Sequence, residues 1–293
     1  MSTNQILRGL WIAFLLVALW PIAAVQAQQK NAQYPCGLGF VQQTPLLHKA
    51  AWAQPNVPTF RQLADAGHAA VQLTFVGHAT FEILSPAGVR VVTDYNDFYR
   101  ASKLPHIATM NIQRGNHSSY SVDPSVKHVL RGWDTGTGIP RHHVTLEDVR
   151  VYNVPTNILG GGGLITNDSS IFVIDTAGVC IAHMGHLRHV LDDERLARMG
   201  RIDVLLMPVD RQVTQSLDEI LYNVERINPR LILPMHYYSP EMVQNFVAAL
   251  GGRYPVKELT SSRLAVTRAS LPQKTEIWLI KPVTGFLGFG GDL

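Results

Sequence analysis

The last third of the chain alternates continuous apolar runs with amphipathic ones, and that alternation constrains the fold more than any other feature. The runs "IDVLLMPV" (202–209) and "PRLILPMHYY" (229–238) have the length and composition of buried strands. Around them, "LDDERLARMG", "SLDEILYNVERIN" and "SPEMVQNFVAALGG" read as helices. The first closes on Gly200, and the third starts at Ser-Pro-Glu and stops at glycines. Strands flanked by helices make an α/β architecture.

Upstream, Val71–Val76, Thr80–Leu84 and Val89–Thr93 are strand-like runs separated by "GH" and "SPAG", which predicts an antiparallel meander opening a sheet. A long polar stretch (97–143) follows, with "HIATMNI" and "KHVLRGW" as its apolar islands; loops this long in a compact chain tend to be functional or disordered. "VTLEDVRVYNVPTN" reads as one strand, "ILGGGGLITNDSS" as a flexible flap, and "SIFVIDTAGVCIAHM" as a hairpin around "TAG". "SRLAVTRA" and "KTEIWLIKP" supply final strands. Residues 28–68 lack clean periodicity and read as a lead-in with one short helix around Phe60–Gly67; residues 69–293 form the folded domain.

Residues 1–27 have the layout of a secretory signal peptide. Arg8 is the sole charge before an apolar stretch from Leu10 to Val25, and Val25-Gln26-Ala27 offers a small-residue cleavage site after Ala27. A retained membrane anchor is the rival, although that stretch is shorter than the roughly 20 residues of a span. Cleavage implies a periplasmic or secreted protein with no membrane association afterwards. The formal charge of +3 falls to +2 when Arg8 leaves, too little to argue for nucleic acid or an anionic membrane as partner. Of the two cysteines, Cys36 and Cys180, an exported chain could pair both, while a buried free thiol at Cys180 is equally compatible with "GVCIAHM". The absence of CxxC excludes thiolate zinc sites.

Chemistry points to histidine. Of 12 histidines, seven lie between His117 and His189, and His236 ends a strand. Histidine is the commonest metal ligand and a general base. His117 follows "HIATMNI", His183 and His186 end a strand in "HMGHLRH", and His236 ends "LILPM", so separate strand ends deliver imidazoles toward one sheet edge. Positions three apart on a strand face opposite ways, so at most two of His183, His186 and His189 face one site; the plainer reading packs His183 beneath the loop and lets His189 cap the next helix.

The order "FVGHATFEI", "VRVVTDY", a His-containing loop, "VYNVPTN", "IAHMGHLRH" and "PMHYYS" resembles the metallo-β-lactamase superfamily over Val71–Tyr238, most of all its lactonase-like branch with the ascorbate-6-phosphate lactonase relatives. The resemblance implies an αββα sandwich of two mixed β-sheets flanked by helices. It also implies a metal site where the sheets meet, and a metal-activated water attacking a carbonyl or phosphoryl centre of a small molecule. The motif is degenerate. Of the family's His-x-His-x-Asp-His loop only His117 survives; Asn157 or Thr156 replaces a histidine, and His186 stands where an aspartate bridges two metals. His236 is kept.

The set that remains is His117, His186 and His236, enough for one catalytic zinc, with manganese as the alternative ion. Asp94 matches an aspartate that supports the site, and Asp94, Asn157 and Asp210 are candidates to orient the ligands. Tyr120, with Ser118 and Ser119, is placed to bind substrate oxygens or donate a proton. His78 in "GHAT" is expected to be structural. The expectation is an exported metal-dependent hydrolase of a small ester, lactone or phosphate-type substrate; the alternative is a noncatalytic binding protein that keeps the fold and has lost the dinuclear centre.

Overall fold

The computed structural model describes Cys36, Gly37 and residues 70–160, 163–211 and 213–284. The leader, the expected short helix around 60–67 and most of the lead-in lie outside the described residues.

Two mixed sheets carry the fold. The first begins with β1 (Val71–Gly77), β2 (Thr80–Leu84) and β3 (Arg90–Val92), paired antiparallel in the expected meander. β4 (Ile107–Met110) and β5 (His128–Arg131) extend it in parallel from the two apolar islands of the polar stretch. The second sheet contains β6 (His143–Leu146), β7 (Val149–Gly160), β8 (Gly163–Thr176), β9 (Val179–His183), β10 (Val204–Pro208) and β11 (Leu231–Met235). It is completed by β12 (Val256–Glu258) and β14 (Glu276–Leu279), whereas β13 (Arg263–Val266) returns to pair with β1 in the first sheet. The strand orders are β13-β1-β2-β3-β4-β5 and β12-β14-β11-β10-β9-β8-β7-β6.

Three helices link strands of the second sheet, and each has the caps its sequence advertises. α1 (Asp193–Met199) is N-capped by Asp192 and stops at Gly200. α2 (Leu217–Ile227) starts with a capping box between Ser216 and Glu219, which satisfies otherwise unpaired backbone amides. α3 (Pro240–Ala249) carries proline in its first turn, where the missing N–H costs nothing. The cap of α1 is thus Asp192 and not His189, because a short side-chain oxygen reaches the Arg195 amide.

Apolar residues of both sheets share one buried cluster, with Phe75, Phe81, Phe172, Tyr152 and Ile181 at 0–1% exposure. Phe75 and Phe81 stack with centroids 4.8 Å apart. The fold is therefore the α/β sandwich of two mixed sheets with flanking helices that the sequence predicts.

Three local differences appear. "VTLEDVRVYNVPTN" is two strands, because Glu147 takes a left-handed φ of 49° and turns the chain between β6 and β7. The supposed flexible flap is instead a ladder: β7 and β8 pair from Val149↔Thr176 out to Gly160↔Gly163. Cross-strand pairs such as Ile158↔Ile165 and Leu159↔Leu164 carry the strands up to the glycines. Finally, Cys36 and Cys180 form a disulfide with Cα atoms 5.5 Å apart, which resolves the open question of their pairing. With Gly37 N donating to Met199 O (3.1 Å), this fastens the start of the lead-in to β9 and α1.

Candidate metal centre

Strand ends from both sheets converge on one buried edge. His117 lies in the turn after β4, where its amide donates to Arg114 O (2.9 Å). His186 follows β9, and His236 follows β11. All three are 0% exposed. His236 Nε2 lies 3.2 Å from His117 Nε2 and 3.1 Å from His186 Nδ1. The structure therefore brings together the three histidines expected to hold metal.

Carboxylates set the ring orientations. His117 Nδ1 lies 2.6 Å from Asp94 Oδ2, and His236 Nδ1 lies 2.9 Å from Asp210 Oδ2. Each imidazole thereby places its Nδ1–H on a carboxylate and turns the lone pair of Nε2 inward. Metal-ligating histidines are held in this way, with the second ring nitrogen fixing tautomer and direction. Asp94 is completely buried and accepts from Asn111 N (3.2 Å). Burial pushes its carboxyl up to about 7, against the opposing pull of His183, the Asn111 amide and His236. Burial also works to raise Asp210, but hydrogen bonds from His236 and Thr214 outweigh it and hold this carboxyl below its ordinary value.

His186 and His183 are kept neutral. Burial first, then His117, His236, Arg188 and Arg114, pulls His186 far below the ordinary imidazole range; its Nε2 is buried with no hydrogen-bond partner. His183 is also lowered by burial, with Asp94 and the Ala79 carbonyl opposing. Its Nε2 donates to Ala79 O (2.7 Å), the supporting role expected beneath the loop.

These donors fit a metal ion. The Nε2 lone pairs of His117 and His236, 3.2 Å apart, repel one another unless a cation lies beside them, and His186 Nδ1 lies 3.1 Å from His236 Nε2. Zinc–nitrogen bonds of about 2.0–2.1 Å in a tetrahedron place ligand nitrogens about 3.3–3.4 Å apart. The two spacings to His236 Nε2, 3.1 and 3.2 Å, need only small adjustment to reach that.

Backbone geometry is specialised here. His78, Asp94 and His236 have φ of 50°, 43° and 58°, left-handed values that cost a non-glycine residue about 1–3 kcal/mol each and cluster at functional sites. Gly185, just before His186, has φ 59°, and a Cβ there would fall 1.5 Å from Asn111 Nδ2. Only glycine lets the His186 loop close against the end of β4.

Other expected residues fall elsewhere. Asn157 N donates to His189 Nε2 (3.1 Å), and its side-chain oxygen accepts from Asn167 N and Arg195, so it ties β7 to the loop before α1. Ser118 and Ser119 spend their hydroxyls on Arg114 O and Asp97 Oδ1 (both 2.8 Å). Tyr120 is 77% exposed. His78, read from sequence as structural, instead belongs to the cluster: one ring nitrogen each of His78, His117 and His236 lies within 4.8 Å of the others. The "GH" turn signal hid it, since a turn residue carries no sign of what it faces.

A two-sheet sandwich with imidazoles gathered where the sheets meet defines a class, and the sequence comparison agrees. Residues 72–236 match the beta-lactamase superfamily domain, and the chain belongs to that family. It is 28% identical over 122 residues to a UPF0173 metal-dependent hydrolase of Heliobacterium modesticaldum, covering 38% of this chain and 50% of that protein. A UPF0173 metal-dependent hydrolase of Pyrococcus furiosus is 25% identical over 191 residues, 57% of this chain and 84% of its own. The chain thus spans half the length of the first relative. Among solved structures, a metallo-beta-lactamase superfamily protein of Thermotoga maritima, assigned as a Zn-dependent hydrolase, superposes with TM-score 0.54 at 23% identity, over 72% of this chain and 98% of that one.

Proposed function

We propose that this chain is an exported metal-dependent hydrolase that holds one zinc ion on His117, His186 and His236 and acts on a small ester, lactone or phosphate-type substrate. The observation that carries the reading is the convergence of three imidazoles, with His236 Nε2 3.2 Å from His117 Nε2 and 3.1 Å from His186 Nδ1, two of the rings backed by carboxylates. Zinc in such a set acts as a Lewis acid and lowers the pKa of water to about 7. Asp94 and Asp210 fix the tautomers of His117 and His236 and hold the lone pairs inward. Tyr120, exposed three residues beyond His117, is the group we assign to substrate contact from the solvent side. The signal-like leader and the Cys36–Cys180 disulfide both support export, since disulfides persist in oxidising compartments.

The relatives' description as metal-dependent hydrolases supports the activity class. A second reading, a noncatalytic protein with a closed metal centre, is favoured by one observation: the three histidines are all 0% exposed, and catalytic zinc sites keep an open position. The mature chain decides between them through metal content and turnover of a panel of esters, lactones and phosphodiesters. The hydrolase reading expects about one zinc per chain, lost in His186→Ala and His236→Ala, and turnover that disappears with it. Metal without turnover selects the closed centre, and less than about a tenth of an equivalent after zinc supplementation removes both.

A further inference from the structure

We infer that Arg114 and Arg188 form an anion-binding pair beside the His117, His186 and His236 cluster, so that the substrate of the proposed hydrolase carries a phosphate or carboxylate group. The substrate class rests on the hydrolase reading above; anion binding at the two arginines does not.

Each arginine sits on a loop that carries one of the histidines. Arg114 belongs to the turn after β4, where its carbonyl accepts from the amide of His117 (2.9 Å) and the hydroxyl of Ser118 (2.8 Å). Arg188 follows His186 in the loop after β9. The two loops touch, since a Cβ on Gly185 would fall 1.5 Å from Asn111 Nδ2, and the rings of His117 and His186 have centroids 5.0 Å apart. Both arginines are half-buried, whereas His186 is fully buried. Burial, His117 and His236 weigh most against charge on the His186 ring, and Arg188 and Arg114 are the cations that add to them. Half-buried side chains that act on a fully buried ring place their charge at the rim of the cluster.

Charge at this rim calls for an anion. Arg90 and Arg195, likewise half-buried, close on Glu82 and Asp192. The Arg114 guanidinium makes no hydrogen bond or ion pair with any described residue, and a partly desolvated cation in that state is costly unless something binds it. Asp94 and Asp210, the carboxylates of the site, are turned to Nδ1 of His117 and His236. Ligating imidazoles are neutral and offset none of a metal ion's charge, so the field at the rim is positive. Guanidinium forks pair with carboxylate and phosphate through two parallel N–H···O bonds. A further polar group lies where the loops touch: Asn111 is 0% exposed, and both ends of its side-chain amide lack a hydrogen-bond partner. Buried polar groups are nearly always paired, and Nδ2 of this one is a donor suited to an anion's oxygen.

Calorimetric titration of the zinc-loaded mature chain with inorganic phosphate and with acetate, at low salt, reads binding without turnover. At least one of these anions is expected to bind with a Kd of about 1 mM or below. Arg114→Gln and Arg188→Gln keep a polar side chain without the charge, urea unfolding checks that each folds, and each should weaken that anion at least about 10-fold. Arg114→Lys, which keeps the charge and loses the fork, should fall between. Neither anion binding up to about 10 mM overturns the inference. So does an affinity within about threefold of wild type in either glutamine variant, which would put the anion on the metal ion instead. A chain that takes up no zinc yet binds anion through both arginines upholds the anion site while the metal centre falls. For matched neutral and carboxylate-bearing esters, kcat/KM should favour the charged one at least about 10-fold, and Arg114→Gln should bring the ratio near one. A wild-type ratio near one refutes the anionic substrate and leaves the hydrolase standing.

Discussion

Breaking the covalent link between Cys36 and Cys180 tests the architecture most directly. The bond closes a loop of 144 residues, from the lead-in to β9, and so spans most of the first sheet and half of the second. In the chain-entropy treatment, a cross-link over 144 residues removes about 17 cal/mol/K from the unfolded chain, or about 5 kcal/mol at 25 °C. Domains are stable by only about 5–15 kcal/mol, so the loss is a third or more of the total. For a domain of this size it lowers Tm by about 10–20 °C. Cys180 is 0% exposed and Cys36 4%, so alanine at both positions avoids burying an unpaired hydroxyl. Thermal and urea unfolding of Cys36→Ala/Cys180→Ala against oxidised wild type measures the difference, and thiol titration of the unfolded wild type should find no free thiol. A double variant within about 1 kcal/mol of wild type would refute the reasoning, because so long a loop cannot be released at so little cost.

Asp94→Asn removes the acceptor charge behind His117 and should weaken zinc binding about 10–100-fold, read by chelator competition; unchanged affinity would separate Asp94 from the centre. Gly185→Ala puts a methyl into Asn111 at a left-handed φ and should cost at least about 2 kcal/mol in urea unfolding, a loss that an ordinary loop glycine would not show. Metal-free protein should weaken in acid. Burial and neighbouring histidines pull His78 and His186 below 6.5, and burial, with His117 and His236, does so for His183 against Asp94 and Ala79. Below 6.5 the unfolded chain takes up as many as three imidazole protons that the fold disfavours, while the fold keeps one on Asp94. Stability then rises with pH by up to about 2.7 kcal/mol per unit and levels near neutrality. Urea midpoints from pH 5 to 7.5 that stay flat, or that fall, would contradict the neutral-histidine cluster.

The elements legible in the sequence are those fixed by local patterns. The β1–β3 meander followed from strand-like runs and turn residues, and α1–α3 from amphipathic runs, with Gly200 and Ser239-Pro240 marking two of their ends. The break at Glu147 was invisible because "VTLEDVRV" keeps a strand-like composition across it. The outer end of the β7–β8 ladder reads as a flap because its glycines signal flexibility, whereas pairing between strands decides the outcome. At the site, His117 and His236 could be named as donors, but their contact joins residues 119 apart in sequence and depends on two sheets docking. His78 and Gly185 escaped for the same reason: a turn histidine and a loop glycine show their neighbours only in three dimensions. The cysteine pair, 144 residues apart, was undecidable without the positions of both backbones.

The backbone bond from His236 to His78 has a consequence for how the molecule comes apart. It ties the β1–β2 turn of one sheet to the end of β11 in the other, at a point sealed from solvent. The amide proton of His236 can trade with deuterium only when the two sheets part at this edge. Its exchange rate is therefore a clock for the opening of the sandwich at this edge. An ion gripped from both sides would slow that clock by the same factor by which it favours the closed state.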